Sequence, residues 1–174
     1  MKVIPTEIDG VMILEPKVFG DARGYFFESW NEAALAEAGI HARFIQDNES
    51  KSRFGVLRGL HYQAPPYTQA KLVRVICGAV LDVAVELSGE NKRQLFVPRG
   101  FAHGFVVLSD EVIFAYKCDN RYSPPHERGI AFDDPELGID WRVKVDSFIL
   151  SPKDTRNPRL AEAELFDFNE EKQG

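Results

Sequence analysis

The stretch Gln46-Asp47-Asn48-Glu49-Ser50-Lys51-Ser52-Arg53-Phe54-Gly55-Val56-Leu57-Arg58-Gly59-Leu60-His61-Tyr62-Gln63 holds more hydrogen-bonding side chains than a scaffold strand needs. His61 offers an imidazole, whose ordinary pKa of about 6.5 suits general-base work near neutrality, and Arg58 offers a cation close by. Strict alternation along a strand puts residues 58 and 61 on opposite faces. If both serve one pocket, a kink or bulge is required near Gly59, which glycine permits. Read alone, His61 is equally well a satisfied structural histidine beside a surface arginine.

Two further stretches carry polar chemistry. In Val97-Pro98-Arg99-Gly100-Phe101-Ala102-His103-Gly104-Phe105 a Pro/Gly turn precedes His103, an arrangement similar to the second box of cupin jelly rolls. Metal-binding cupins complete their coordination sphere with an earlier His-x-His and a Glu, whereas this chain reads His61-Tyr62-Gln63, so no metal site is expected. Along 113–122, Tyr116 and Tyr122 share parity and could project from one face, one to donate a proton and the other to offer a ring; core packing is the plainer reading of either. Asp154, in Ser151-Pro152-Lys153-Asp154, is by itself as easily a turn or cap residue. Cys77 and Cys118 have neither zinc-type spacing nor the number for a disulfide framework and read as thiols of a reducing compartment.

The elements that must position these groups read as strands. Short runs rich in Val, Ile, Phe and Tyr recur at 11–14, 25–27, 43–46, 56–63, 71–76, 80–85, 94–97, 105–108 and 112–117, between Gly, Pro, Asn, Asp and Ser punctuation. That rhythm predicts an all-β fold, an antiparallel sandwich or barrel. Short helices are expected at 32–38, ending at Gly39, and at 159–166. No linker, repeat or low-complexity tract divides the chain, so 1–174 reads as a single domain, and 174 residues with 44% hydrophobic content suffice for one core. A formal net charge of −6 opposes general attraction to nucleic acid. No run is apolar enough for a signal peptide or a membrane span, which makes the cytoplasm the default location and a membrane partner unexpected.

From residue 1 to about residue 160 the chain resembles the dTDP-4-dehydrorhamnose 3,5-epimerases. The resemblance rests on Glu15-Pro16-Lys17-Val18-Phe19-Gly20-Asp21-Ala22-Arg23-Gly24, Phe26-Phe27-Glu28-Ser29, Val56-Leu57-Arg58-Gly59-Leu60-His61, Lys71-Leu72-Val73-Arg74-Val75 and Pro98 to Phe105, in that order. It implies a cupin-type jelly roll that works as a homodimer without metal or organic cofactor. It further implies His61 as base, Asp154 as its orienting carboxylate, Tyr116 as acid and Lys71 beside the developing enolate. Arg23, Glu28, Gln46, Asn48, Arg58, His103, Glu127 and Lys153 would bind the sugar nucleotide, and Tyr122 would stack on thymine. The reaction implied is epimerisation at C3 and C5 of dTDP-4-dehydro-6-deoxy-D-glucose, giving dTDP-4-dehydro-L-rhamnose.

The chain departs from this family between Leu81-Asp82-Val83-Ala84-Val85 and Glu86-Leu87-Ser88, where its members usually carry an additional turn and strand. Loss of one strand reverses the direction of everything that follows unless the link crosses over. Arg121 stands where many relatives have an aromatic residue. Two alternatives stay open: a related enzyme that epimerises only C3 or only C5, or moves the ketone, and a non-catalytic sugar-nucleotide binding module.

Overall fold

The computed structural model describes residues 1–83 and 85–166. Its strands are β1 (Lys2–Pro5), β2 (Met12–Glu15), β3 (Val18–Asp21), β4 (Gly24–Phe27), β5 (Gln46–Arg53), β6 (Leu57–Gln63), β7 (Lys71–Cys77), β8 (Ala79–Asp82), β9 (Val85–Ser88), β10 (Gln94–Val97), β11 (His103–Val107), β12 (Glu111–Cys118) and β13 (Glu127–Gly129). Six form one sheet in the order β1-β2-β10-β7-β12-β5, five form a second in the order β13-β6-β11-β8-β9, and β3 and β4 make a separate hairpin. Every ladder between these strands is antiparallel. This is the all-β sandwich that the spacing of apolar runs and turn residues predicts.

Three apolar clusters hold it together. Between the sheets lie Val73, Val75, Val80, Leu87, Leu95, Phe105, Val107, Val112 and Phe114. On the outer face of the six-stranded sheet, Leu14, Leu72 and Phe96 pack with Leu35 and Ile40 of helix α1 (Glu32–Glu37) and the residues after it. The helix starts where the Asn31 side chain accepts from the Ala34 N–H, and stops at Gly39, whose φ of +83° suits the left-handed cap position. On the outer face of the five-stranded sheet, Leu57, Leu60, Tyr62, Leu81 and Val106 are covered by Ile130, Trp141 and the segment that follows.

The expected second helix over 159–166 shrinks to a 3-10 turn, Leu160–Glu162. Its Ala/Leu/Glu composition favours helix, but tertiary partners hold the backbone open. Asp134 accepts from the Leu160 N–H and the Tyr62 hydroxyl donates to the Glu164 carbonyl, while Leu160, Ala163 and Phe166 pack on the sheet. The run at 80–85 is also two strands. β8 and β9 pair back on each other, with Asp82 opposite Val85, so the chain reverses within what reads as one apolar strand. Among the described residues no helix is long and apolar enough to cross a membrane.

Candidate active site

Four strands change character at the same end of the sandwich. Reading inward-facing positions along β12 gives Val112, Phe114, then Tyr116; along β7, Val75, Val73, then Lys71; along β11, Val107, Phe105, then His103; along β8, Val80, then Asp82. The apolar floor made by the first members ends where the polar members begin. Above it opens a cavity of about 460 Å³ bordered by Arg58, His61, Lys71, His103, Tyr116 and Asp154, with Glu127 and Lys153 at its rim. A second cavity of about 270 Å³ shares His61, Lys71, Tyr116 and Glu127 with the first and extends to Gln46, Asn48 and Tyr122.

Arg58 and His61 reach the same space because β6 is bulged. His103 of β11 is opposite His61, but Phe105, two residues on, is opposite Arg58, three residues back, so β6 holds one extra residue here. Gly59 supplies the necessary freedom: its φ is +139°, and a Cβ there would come within 2.5 Å of the Gly104 Cα. The kink required near Gly59 for a shared pocket is therefore present.

Asp154 arrives from far along the chain. Ile149 accepts from the Leu57 N–H and donates to the Gly55 carbonyl, which lays the segment against the start of β6. A 3-10 turn over Asp154–Arg156 then presents the carboxylate to the histidine. Asp154 Oδ1 lies 2.5 Å from His61 Nε2. Ser151 locks the other oxygen, donating from Oγ to Oδ2 at 2.8 Å while accepting from the Asp154 N–H at 3.2 Å. Asp154 is only 4% exposed, and burial alone would raise its pKa. The hydrogen bonds from His61 and Ser151 outweigh burial and hold it below the usual carboxylate range. An ionised Asp154 on Nε2 keeps the ring proton there and leaves Nδ1 as the basic nitrogen.

Burial pushes the Tyr116 phenol above its ordinary value, so it stays protonated and able to donate. Burial pulls the Lys71 ammonium below its ordinary value, against the attraction of Cys118, Asp82 and Glu127. Arg58 is steadied by Ser52, whose Oγ lies 3.2 Å from Nε and 3.0 Å from the second guanidinium nitrogen. At the rim the Tyr122 hydroxyl donates to Glu127 at 2.6 Å, which raises the phenol to about 12, and Lys153 pairs with the other Glu127 oxygen. Despite its burial, Glu127 is held below its ordinary value by Lys153 and Tyr122.

Eleven of the thirteen residues singled out from sequence therefore border these two cavities, which share part of their lining: His61, Tyr116, Asp154, Lys71, Gln46, Asn48, Arg58, His103, Tyr122, Glu127 and Lys153. Arg23 and Glu28 border neither cavity. Arg23 sits at the tip of the β3–β4 hairpin, paired with Asp21, and Glu28 is exposed just beyond it. Tyr122 reaches the site from outside β12, which ends at Cys118, so shared strand parity with Tyr116 does not account for its position. Sequence reasoning missed Asp82, Ser151 and Ser52. Asp82 left a trace, a lone carboxylate two positions from Val80 in an apolar run, where alternation points it inward. Among the described residues no group of three or more His, Cys, Asp or Glu side chains could hold a metal ion.

The sequence model of the dTDP-4-dehydrorhamnose 3,5-epimerases matches the chain in two pieces, residues 5–88 and 83–162. A relative of that name from Shigella flexneri is 51% identical over 182 residues, covering 95% of this chain and 99% of its own length. The crystal structure of the Elizabethkingia anophelis enzyme of that name superposes with a TM-score of 0.89 at 46% identity, covering 92% of this chain and 97% of its own. That of a dTDP-6-deoxy-D-glucose-3,5-epimerase from Legionella pneumophila, solved with dTDP-4-keto-L-rhamnose, gives 0.88 at 47% identity and covers 92% and 93%.

Proposed function

The chain belongs to the dTDP-4-dehydrorhamnose 3,5-epimerase family, and from that premise we propose how its cupin-type jelly roll, as one domain over 1–174, carries out the reaction. The substrate is dTDP-4-dehydro-6-deoxy-D-glucose and the product dTDP-4-dehydro-L-rhamnose. The observation that carries the reading is the carboxylate-oriented imidazole of His61 in a cavity that also holds a protonated Tyr116 and a half-buried Lys71. A pure binding module has no use for an oriented base.

The C4 ketone acidifies the hydrogens on C3 and C5. His61 Nδ1 takes one of them as a proton, and the C–H electron pair becomes the enolate, whose oxygen Lys71 stabilises. Tyr116 gives its proton to the same carbon from the opposite face, since β6 and β12 belong to opposing sheets. Transfer of the proton from the His61 imidazolium to the Tyr116 phenolate through solvent restores both groups for the second carbon. Removal of one preorganised oxyanion donor typically costs about 3–4 kcal/mol, which sets the scale expected for Lys71. The larger cavity suits the hexose; Tyr122, Gln46 and Asn48 around the smaller one suit the nucleotide, with Tyr122 stacking on thymine and Arg58, His103, Glu127 and Lys153 binding the sugar nucleotide. No step calls for a metal or an organic cofactor.

The test is proton exchange in deuterated water, followed by NMR at C3 and C5 of the dTDP-4-keto sugar. Wild-type protein should label both positions, and His61→Asn should label neither while still binding dTDP. Labelling at one carbon alone would make the enzyme a mono-epimerase, and near-wild-type exchange in His61→Asn would remove the base from this mechanism.

A further inference from the structure

Tyr122 is 51% exposed, so packing alone does not set the direction of its ring. Residues 121–123 lie between β12 and β13 and belong to no strand, so their backbone groups must find partners outside a ladder. Gln63, at the end of β6 and only 6% exposed, supplies them. Its Oε1 accepts from the Ser123 N–H at 2.7 Å, and its Nε2 donates to the Arg121 carbonyl at 3.3 Å. Nε2 also donates to the Tyr67 carbonyl, at 2.6 Å. Only one orientation of the amide suits two carbonyls and one N–H. One buried side chain thus clamps the backbone on either side of Tyr122.

The other end of the tyrosine is held by Glu127, which accepts from its hydroxyl at 2.6 Å. Glu127 is the partner opposite Gln63 in the β13–β6 ladder. Two residues facing each other on adjacent strands therefore grip the backbone and the hydroxyl of the same tyrosine. The chain just before it is tied in a similar way. Gln69 donates to the Asn120 carbonyl at 2.7 Å, and the Asn120 side chain donates to the carbonyls of Pro66 at 3.0 Å and Thr68 at 3.2 Å. Gln63 and Gln69 both border the smaller cavity. Gln63 follows His61 by two residues on β6, which places the two on one face of the strand, roughly 7 Å apart. The strand that carries the base therefore also carries the support of Tyr122.

We propose that Gln63 is a positioning residue that presets the Tyr122 ring for stacking on the nucleotide base, and so fixes where the hexose falls relative to His61. The proposal rests on the assignment of Tyr122 to thymine made above. Gln63 acts through Tyr122 and not on the reacting carbons. A ring oriented before the nucleotide arrives loses less freedom on binding than one that the nucleotide must order.

Gln63→Met keeps the unbranched shape and length but lacks the amide donors and the carbonyl oxygen. Calorimetric titration should show dTDP binding weakened about fivefold or more, the lower end of what a stacked ring contributes. KM for the dTDP-4-keto sugar should rise by more than kcat falls, because stacking serves the ground state and the transition state alike. In a Tyr122→Ala background the same substitution should change dTDP affinity by less than twofold, since the ring through which Gln63 acts is gone. A general defect in the site would weaken binding equally in both backgrounds, and that result overturns the proposal. So does a change below twofold with Tyr122 present. If Gln63→Met does not fold, hydrogen exchange in wild-type protein without nucleotide decides: a protected Ser123 amide supports a preset ring, and an unprotected one overturns it. If Tyr122→Ala binds dTDP as tightly as wild type, the stacking assignment itself fails and takes the proposal with it. That outcome is distinct from equal weakening in both backgrounds while Tyr122→Ala remains impaired.

Discussion

At the level of single residues, the site separates groups by what surrounds them. His61 and His103 are the same side chain, each backed by a carboxylate, yet one lies at the cavity wall and the other on its floor. Tyr116 and Tyr122 differ more sharply. Tyr116 is inward-facing on β12 and loses its acidity through burial; Tyr122 is half exposed, and its hydroxyl is engaged by Glu127. Tyr116→Phe keeps the ring but has no proton to give, so exchange at carbon should persist while inverted product falls sharply. Tyr122→Phe should be mild, whereas Tyr122→Ala should weaken dTDP binding by about 1–3 kcal/mol, the range for an aromatic ring stacked on a base. Turnover and dTDP titration of the three variants check this, and equal severe loss of turnover in both phenylalanine variants, with binding intact, would contradict it. Chelation belongs at this scale too. The Nε2 atoms of His61 and His103 are both engaged by carboxylates, so prolonged treatment with chelator should leave turnover unchanged; activity lost and then restored by a divalent ion would reverse that conclusion.

At the level of elements, what was legible in the sequence follows from which faces are wet. β6, β7, β10 and β12 read clearly because apolar residues dominate their runs. β5 was missed as a full strand because Gln46, Asn48, Ser50 and Ser52, its alternate positions, are polar; the first three border the cavities and Ser52 holds Arg58, so no hydrophobic period marks them. His61 and Tyr116 stand out by residue type, but Lys71 and the grouping of the three were legible only through family motifs, since they come from three strands that only tertiary pairing brings together. The β8–β9 hairpin was hidden for another reason. Val83 turns the chain with a φ of +34°, a region that β-branched residues rarely occupy, and no Gly or Asn announces it. The family match overlaps itself here, at 83–88, and the Shigella alignment is longer than this chain, so relatives hold residues that this chain lacks. Shortening a hairpin at its tip removes length from both arms and preserves the direction of everything after it, which resolves the expected reversal. The shortened turn has a cost. Val83→Asn or Val83→Gly should relieve about 1–2 kcal/mol of backbone strain, which for a domain of this size means a Tm higher by roughly 2–8 °C. Calorimetry of the two variants would show it, and an unchanged or lower Tm would mean the turn is not strained.

At the level of the whole molecule, the β3–β4 hairpin stands apart from both sheets. Phe26 is 69% exposed and Tyr25 59%, with Phe19 and Val18 beside them, a concentration of apolar surface uncommon on a monomer. Arg23 and Glu28, which the family resemblance assigns to the sugar nucleotide, are on or next to this hairpin and border neither cavity of their own chain. β5 meanwhile leaves one edge of the six-stranded sheet unpaired, within the wall that carries Gln46 and Asn48. We propose the twofold dimer that the family resemblance implies as the arrangement that would account for all three facts, since an isologous contact would let each hairpin cover apolar surface and deliver Arg23 and Glu28 to the partner's cavity. Phe26→Asp should therefore sediment as a monomer and lose most turnover, although His61, Tyr116 and Lys71 are untouched. Mixing two impaired variants is the sharper measurement. If Arg23 acts in the partner's site, His61→Asn and Arg23→Ala chains that exchange subunits regain one intact site in each mixed dimer, or about a quarter of wild-type sites at equal amounts. If Arg23 acts within its own chain, no intact site can form, and the mixture stays as inactive as its components.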